Sequence, residues 1–334
     1  MKRVLITGIT GQDGAYLAQF LLKKGYTVFG TYRRQSSGNF WRLHYLNISD
    51  KIKLISADIL DSTSLYRALE ISNPTEIYHL AAQSFVAASF DQPLYTSDVT
   101  GLGTVRILDQ ILKFNKKIKF YQASSSEMFG SGKSLVQNES TPFMPSSPYA
   151  ISKLYAYWQT KLYREAYGIF AVNGILFNHE SPLRGLEFVT RKISNQVAKI
   201  SLGISKKLEL GNLLAKRDWG YAPEYVEGIW KSLQVKNSDD YVMATNESHS
   251  VKEFVEEACK IANISIKCLK TNKKNLRPFD VNHLQGDYSK AKKKLGWKPK
   301  TKFTDLVKLM VDEDIHRWEQ RLNGKYLPWD AGNF

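Results

Sequence analysis

The chain has 334 residues, with 47 lysines and arginines against 32 aspartates and glutamates, a formal charge of +15 at pH 7. At 43% hydrophobic and 24% charged residues it has the balance of a folded protein rather than a disordered one, with length for two domains or one large domain and a lobe. Two cysteines, Cys259 and Cys268, make no disulfide framework and lack zinc-ligand spacing, and no window approaches the ~18 apolar residues of a membrane span. The apolar run after Met1-Lys2-Arg3 is broken by Gly8, Gly11 and Asp13, too soon for a signal peptide, so a reducing cytoplasm is expected, without metal. The excess cations are densest at Lys292-Lys293-Lys294. They lack the aromatic platform of a nucleic-acid binder, so neither nucleic acid nor membrane is expected as a partner.

In chain order, residues 4–7 form a short apolar run that stops at glycine, and 16–22 carry apolar side chains at helical spacing. Residues 27–31, 52–56, 76–80, 118–123 and 170–177 read as further strands, with 62–71 and 103–114 as crossover helices. This alternation predicts an α/β fold, a doubly wound parallel sheet with helices on both faces. After residue 177 the rhythm breaks into loop chemistry with a helix near 192–202, and a helix-rich segment follows. A smaller, mixed α/β C-terminal lobe is therefore expected to close over the carboxyl edge of the sheet. The expected division is 1–177 for the sheet domain, with about 215–245 returning to it, and 178–214 with 246–334 for the lobe.

Gly8-Ile9-Thr10-Gly11-Gln12-Asp13-Gly14 follows the first strand and opens the first helix. Glycines at this turn let backbone N–H groups approach a pyrophosphate at a helix N-terminus, so a dinucleotide is expected there. An NAD site usually places an acid at the end of the second strand; here stand Thr31-Tyr32-Arg33-Arg34. Arginines suit the 2′-phosphate of NADP as charged forks.

Tyr149 and Lys153 stand one helical turn apart after the helix-start signal Pro145-Ser146-Ser147-Pro148, and Ser125 follows the fifth strand at the ligand edge. A phenol near pKa 10 is a poor base at neutral pH. A neighbouring ammonium and a positively charged nicotinamide would favour its phenolate, so that it can take a hydroxyl proton while hydride leaves the same carbon.

The segments Gly8–Gly14, Leu80-Ala81-Ala82-Gln83-Ser84, Ser124-Ser125-Ser126-Glu127 and Tyr149–Lys153 resemble the extended short-chain dehydrogenase/reductases, with their Rossmann sheet. More narrowly, Arg33-Arg34-Gln35-Ser36-Ser37, Phe177-Asn178-His179-Glu180-Ser181-Pro182, Phe188-Val189-Thr190-Arg191-Lys192, Gly211-Asn212-Leu213, Ala215–Gly220 and Leu295-Gly296-Trp297-Lys298-Pro299 resemble the GDP-mannose 4,6-dehydratase family. The resemblance implies NADP as cofactor, a GDP-sugar as substrate, and a homodimer or homotetramer. It implies that Ser125, Glu127, Tyr149 and Lys153 are catalytic. Tyr149 and Ser125 would act on the sugar C4 oxygen, Lys153 would bond the nicotinamide ribose, and Glu127 would transfer the C5 proton as the C6 hydroxyl leaves. It implies cofactor contacts from Gly8, Gly11, Gln12, Asp13, Gly14, Arg33, Asp58, Ile59, Leu80, Ala81, Ala82, Ser84, Tyr95, Lys153, His179 and Arg184. Ser84, Ser125, Glu127, Tyr149, Asn178, Lys192, Arg217 and Arg277 would hold the nucleotide-sugar.

Leu183-Arg184 stands where the family commonly has two arginines, and Leu186-Glu187 where it has Glu-Asn. These departures fall near the cofactor and the subunit interface. They keep a GDP-D-glycero-D-manno-heptose 4,6-dehydratase open as an alternative, and further off a nucleotide-sugar 4-epimerase or 4-reductase, against which Glu127 argues.

Overall fold

The computed structural model describes residues 2–272 and 278–325. Its first half runs β1 (Arg3–Thr7), α1 (Gln12–Lys23), β2 (Thr27–Tyr32), α2 (Trp41–Tyr45), β3 (Lys53–Ser56), α3 (Ser62–Ser72), β4 (Glu76–His79), α4 (Val86–Asp91), α5 (Pro93–Thr96), α6 (Gly103–Phe114), β5 (Lys119–Ser125), α7 (Pro148–Tyr167) and β6 (Ala171–Leu176). A π turn, Ser97–Leu102, leads into α6. The second half adds β7 (Asn178–Glu180), α8 (Val189–Ser201), β8 (Leu208–Leu210), β9 (Lys216–Arg217), β10 (Trp219–Tyr221), α9 (Ala222–Ser232), β11 (Asp240–Met243), β12 (His249–Ser250), α10 (Val251–Ile261), β13 (Leu269–Thr271), β14 (His283–Leu284), α11 (Ser289–Leu295) and α12 (Phe303–Leu322).

A 7-stranded sheet in the order β11-β6-β5-β4-β1-β2-β3 carries the fold, every pairing parallel. Alternation along each strand divides its side chains between two cores. Val4, Ile6, Val28 and Tyr121 face α1 and α9, while Leu5, Phe29, Ile77 and Phe120 face α3 and α6. Burial on both faces explains why these strands read as continuous apolar runs. Strand order reverses between β1 and β4, and register places Thr7 beside His79 there. Ligands in open α/β sheets bind at this switch point, beyond the carboxyl ends of the strands.

Beyond that edge α8, α10 and α12 enclose a third core around Ile193, Phe254, Met310 and Trp219. Short paired strands, β7 with β10 and β9 between β12 and β14, join it to the sheet. The chain returns through α9 to β11, the sheet's edge strand. Residues 289–297, placed by sequence with the lobe, pack instead on the sheet side. Ala291 and Trp297 belong to the core around α1 and α9, and the Trp297 indole donates to the Glu224 carbonyl at 2.8 Å.

Candidate active site

A cleft with a cavity volume of about 310 Å³ opens over the carboxyl ends of β1, β4, β5 and β6. Its floor is the glycine loop. Gly8 has φ +73, and a Cβ there would meet the Ala81 backbone nitrogen at 2.8 Å, so β1 and the chain after β4 approach as closely as only glycine allows. Gly11 differs: it lines the cleft, and a Cβ on it would find only the Gly8 carbonyl within 4 Å. The space it leaves is therefore cleft space, beside an α1 N-terminus with no side-chain cap. Uncapped N–H groups and the helix dipole make this a fitting cradle for an anionic diphosphate.

The loop's own carboxylate is neutralised from within. Asp13 Oδ2 lies 2.8 Å from His179 Nε2, while His179 Nδ1 lies 2.7 Å from the Phe177 carbonyl oxygen. Both ring nitrogens face acceptors, so both carry protons. Burial opposes the charges, but the imidazolium holds Asp13 down to about 2, and the carboxylate raises His179. Gln12 completes the tie. It donates to the His179 carbonyl at 3.1 Å and accepts from Ser181 at 2.7 Å.

On one wall Ser125 ends β5 and caps the following single turn, its hydroxyl accepting from the Glu127 N–H at 3.2 Å. Helix α7 starts at Ser147, whose hydroxyl accepts from the Ala150 N–H, with Pro148 in the first turn. That start aims Tyr149 and Lys153, both buried, into the cleft. Burial pushes Tyr149 up to about 12, opposed by the Ser125 hydroxyl bonded to it, with Glu127 raising it further. Burial brings Lys153 down to about 8, and its Nζ donates to the Ala123 carbonyl at 2.6 Å. The Lys153 ammonium therefore lies 5.8 Å from the Tyr149 ring centre rather than on the phenol. Arg184, which lines the same cleft, also favours the phenolate.

The opposite wall comes from the later chain. Arg217 Nε is 3.9 Å from Glu127 Oε1, and its Nη atoms donate to the Val281 carbonyl at 2.6 Å and to Asp280 at 3.1 Å. Asn212 donates to the other Asp280 oxygen at 3.0 Å. Buried Glu180 accepts from Thr190 at 2.6 Å and pairs with Arg184 at 3.1 Å, whose guanidinium carbon lies 3.6 Å from the Phe188 ring centre. The cleft thus joins an anion cradle, a phenol–lysine–hydroxyl group and a carboxylate facing a cation, a set suited to redox-assisted proton transfer on an anionic substrate.

The profile of the family described as GDP-mannose 4,6 dehydratase matches residues 5–310. The chain belongs to the GDP-mannose 4,6-dehydratase family. It is 51% identical over 325 residues to GDP-mannose 4,6 dehydratase 1 of Arabidopsis thaliana, covering 94% of this chain and 90% of that one. It is also 51% identical to the Homo sapiens GDP-mannose 4,6 dehydratase over 337 residues, covering 93% and 91% of the two chains. Among solved structures, a dTDP-glucose 4,6-dehydratase from Bacillus anthracis superposes with a TM-score of 0.83 at 22% identity, over 96% of this chain and 98% of that one, a likeness of fold.

For this GDP-mannose 4,6-dehydratase family member the cleft gathers Gly8, Gly11, Gln12, Asp13, Gly14, Leu80, Ala82, Ser84, Ser125, Glu127, Tyr149, Lys153, Asn178, His179, Arg184 and Arg217. Arg33, Asp58, Ile59, Ala81, Tyr95 and Lys192 do not line it, and Arg277 lies outside the described residues. Arg33 and Tyr95 nevertheless meet each other, the guanidinium donating to the phenol oxygen at 2.5 Å. Asp58 closes a turn by accepting from the Leu60 N–H at 3.0 Å, and Ile59 is buried in the core below α6. Lys192 is half-buried on the first turn of α8. Sequence reasoning missed Glu180, Thr190, Asn212, Trp219 and Asp280 as site residues. The first four lie inside the family motifs; Glu180 has Arg184 four residues on as a local partner, whereas Thr190 and Asn212 meet their side-chain partners only through the fold.

Proposed function

We propose that this chain dehydrates GDP-mannose to its 4-keto-6-deoxy form on a bound NADP, with Ser125, Glu127, Tyr149 and Lys153 as the catalytic group. Membership of the family makes the chain a nucleotide-sugar 4,6-dehydratase, a hydro-lyase. The observation that carries the residue assignment is the meeting, in one cleft, of Glu127 with the Ser125–Tyr149–Lys153 set beside the glycine cradle. Asn178, Arg217 and Lys192 are assigned to the diphosphate side of the substrate, where cations favour anions.

NADP, when bound, supplies a reversible two-electron acceptor and, oxidised, a positive charge that favours the Tyr149 phenolate. Tyr149 removes the proton of the C4 hydroxyl while Ser125 bonds the same oxygen. Lys153, held by the Ala123 carbonyl, keeps further N–H donors for a ribose. The C4 ketone acidifies the C5 hydrogen, and Glu127 takes that proton and delivers it to the departing C6 hydroxyl as water; the hydride that a bound NADP would hold from C4 would then return to C6, with a proton to C5, giving the 4-keto-6-deoxy sugar without net use of the cofactor. Preference for NADP over NAD rests on Arg33, which stands at the end of β2 where an NAD site has an acid, anchored by Tyr95.

A homodimer is supported by α7, which exposes Ile151, Tyr155, Trp158 and Leu162 at 57%, 41%, 52% and 50%, an apolar stripe at helical spacing. Free thiols at Cys259 and Cys268 suit a cytoplasmic location. Among the described residues no helix is long and apolar enough to cross a membrane. Mass spectrometry of the purified protein incubated with GDP-mannose, GDP-manno-heptose and NADP tests the reading. Loss of one water from the mannose nucleotide is expected. Water lost only from the heptose would move the substrate, and a product of unchanged mass would replace dehydration by epimerisation.

A further inference from the structure

Arg42, on α2 in the connection between β2 and β3, belongs to none of the groups assigned above. Among the described residues no carboxylate lies within ion-pair distance of it; Glu187 acts on it only from further off. Its polar partners are two backbone carbonyls: Nε donates to Leu183 at 2.7 Å and Nη1 to Thr10 at 3.1 Å. The Trp41 ring centre lies 4.4 Å from the guanidinium carbon, and burial drives the group down to about 10, still charged at neutral pH. A cation set among carbonyls is costly to keep and needs a reason.

The two carbonyls supply one. Thr10 lies inside the glycine loop. The peptide joining it to Gly11 is held at both ends, its oxygen by Arg42 and its N–H by the Gly8 carbonyl at 3.0 Å. Fixing that peptide fixes the direction of the next amides, those of Gln12, Asp13 and Gly14 at the uncapped start of α1. Leu183 precedes Arg184, in a turn closed by the Arg184 N–H to the Ser181 carbonyl at 3.0 Å. Arg184 lines the same cleft as Tyr149. One guanidinium therefore spans the anion cradle and the loop that carries Arg184 into the cleft. The same α2 segment follows Arg33 and Arg34 along the chain.

We propose that Arg42 is a positioning residue for the cofactor: touching no ligand, it holds the Gly8–Gly14 cradle in the geometry that receives a dinucleotide diphosphate, in register with the 181–188 loop. This rests on the NADP-dependent reading above. Arg42→Met keeps the length of the side chain and removes its donors. NADPH titration by fluorescence is expected to show a Kd raised about tenfold to a hundredfold, since two hydrogen bonds from a charged group no longer hold the cradle. At saturating NADP, kcat and the KM for GDP-mannose are expected to stay within about threefold. Hydrogen exchange is expected to quicken at residues 11–14 before other segments. Arg42→Lys, a point charge unable to span both carbonyls, is expected to fall between. A variant with lowered Tm but wild-type NADPH affinity and exchange at 11–14 would overturn the proposal, leaving Arg42 a structural tie. Should Arg42→Met not fold, the lysine variant decides alone, and unchanged NADPH affinity there overturns the proposal equally. Failure of the wild-type protein to bind NADPH would instead strike the cofactor reading, and Arg42's role with it.

Discussion

The two walls of the cleft are built from different material. Ser125, Glu127, Tyr149 and Lys153 stand on or just after the 7-residue β5 and at the start of the 20-residue α7, long regular elements whose backbone ladders set the spacing within each. Asn178, Arg217 and Asp280 stand on the 3-residue β7, the 2-residue β9 and a loop. That wall is held by side-chain ties, Arg217 to Asp280, Asn212 to Asp280 and Glu180 to Thr190 and Arg184. Groups that move protons tolerate little displacement, whereas groups that grip a flexible diphosphate gain from being adjustable. The regular wall is therefore read as the chemical one and the stitched wall as the recognition one.

The contrast breaks or sharpens by substitution. The largest effect is expected on the chemical wall: Glu127→Gln and Tyr149→Phe should each cut kcat by about 10³-fold, within the usual range for a lost acid–base group, with NADPH affinity retained. Full turnover in Glu127→Gln would remove the assignment.

Next comes the Asp13–His179 pair that ties the floor of the cleft to β7. Asp13, held near 2 against an ordinary 3.8, contributes stability above pH 4 that fades as the pH falls towards 2. His179, raised above 6.5, contributes fully below that value and loses its part as the pH climbs through its raised value. Thermal unfolding of His179→Gln against wild type across pH should therefore differ most between about pH 4 and 6.5, on the order of 2 kcal/mol, and converge at higher pH. A gap that widens with alkalinity contradicts the charged pair.

On the stitched wall, Asp280→Asn frees Arg217 from one charged partner. About a tenfold rise in the KM for GDP-mannose is expected, a differential binding near 1.4 kcal/mol, with kcat within about threefold. A fall in kcat as large as that of Glu127→Gln would erase the distinction between the walls. The smallest effect on the fold should come from Trp158→Glu on the exposed face of α7, within about 0.5 kcal/mol of wild-type stability. Light scattering is expected to show it lowering the oligomeric mass.

The regular wall is also the legible one. The strands at 4–7, 27–31, 52–56, 76–80, 118–123 and 170–177 announce themselves because burial on both faces leaves apolar runs, and 103–114 because α6 buries one stripe of its surface. Strands as short as β9, β12 and β14 have no period to read, and α2, α4, α5 and the π turn are too brief for a helical pattern. The site divides in the same way. Gly8, Tyr149 and Lys153 are tied by spacing within a turn or a helix. The partners of Glu127 and Arg217 are set by tertiary closure, with Asp280 more than sixty residues from the arginine it holds. The ammonium of Lys153 escapes sequence reasoning for a related reason, since spacing brings it to the right face but only the sheet reveals the Ala123 carbonyl that claims one of its protons.

That same contact has a mechanical consequence. Ala123 and Ser125 belong to one strand, and Lys153 and Tyr149 to one helix, so the bond from Lys153 to Ala123 bolts helix to strand at the point proposed for the reaction. Any displacement of the sheet or the lobe would therefore carry the hydroxyl, the phenol and the amine as a single block, with their mutual distances kept.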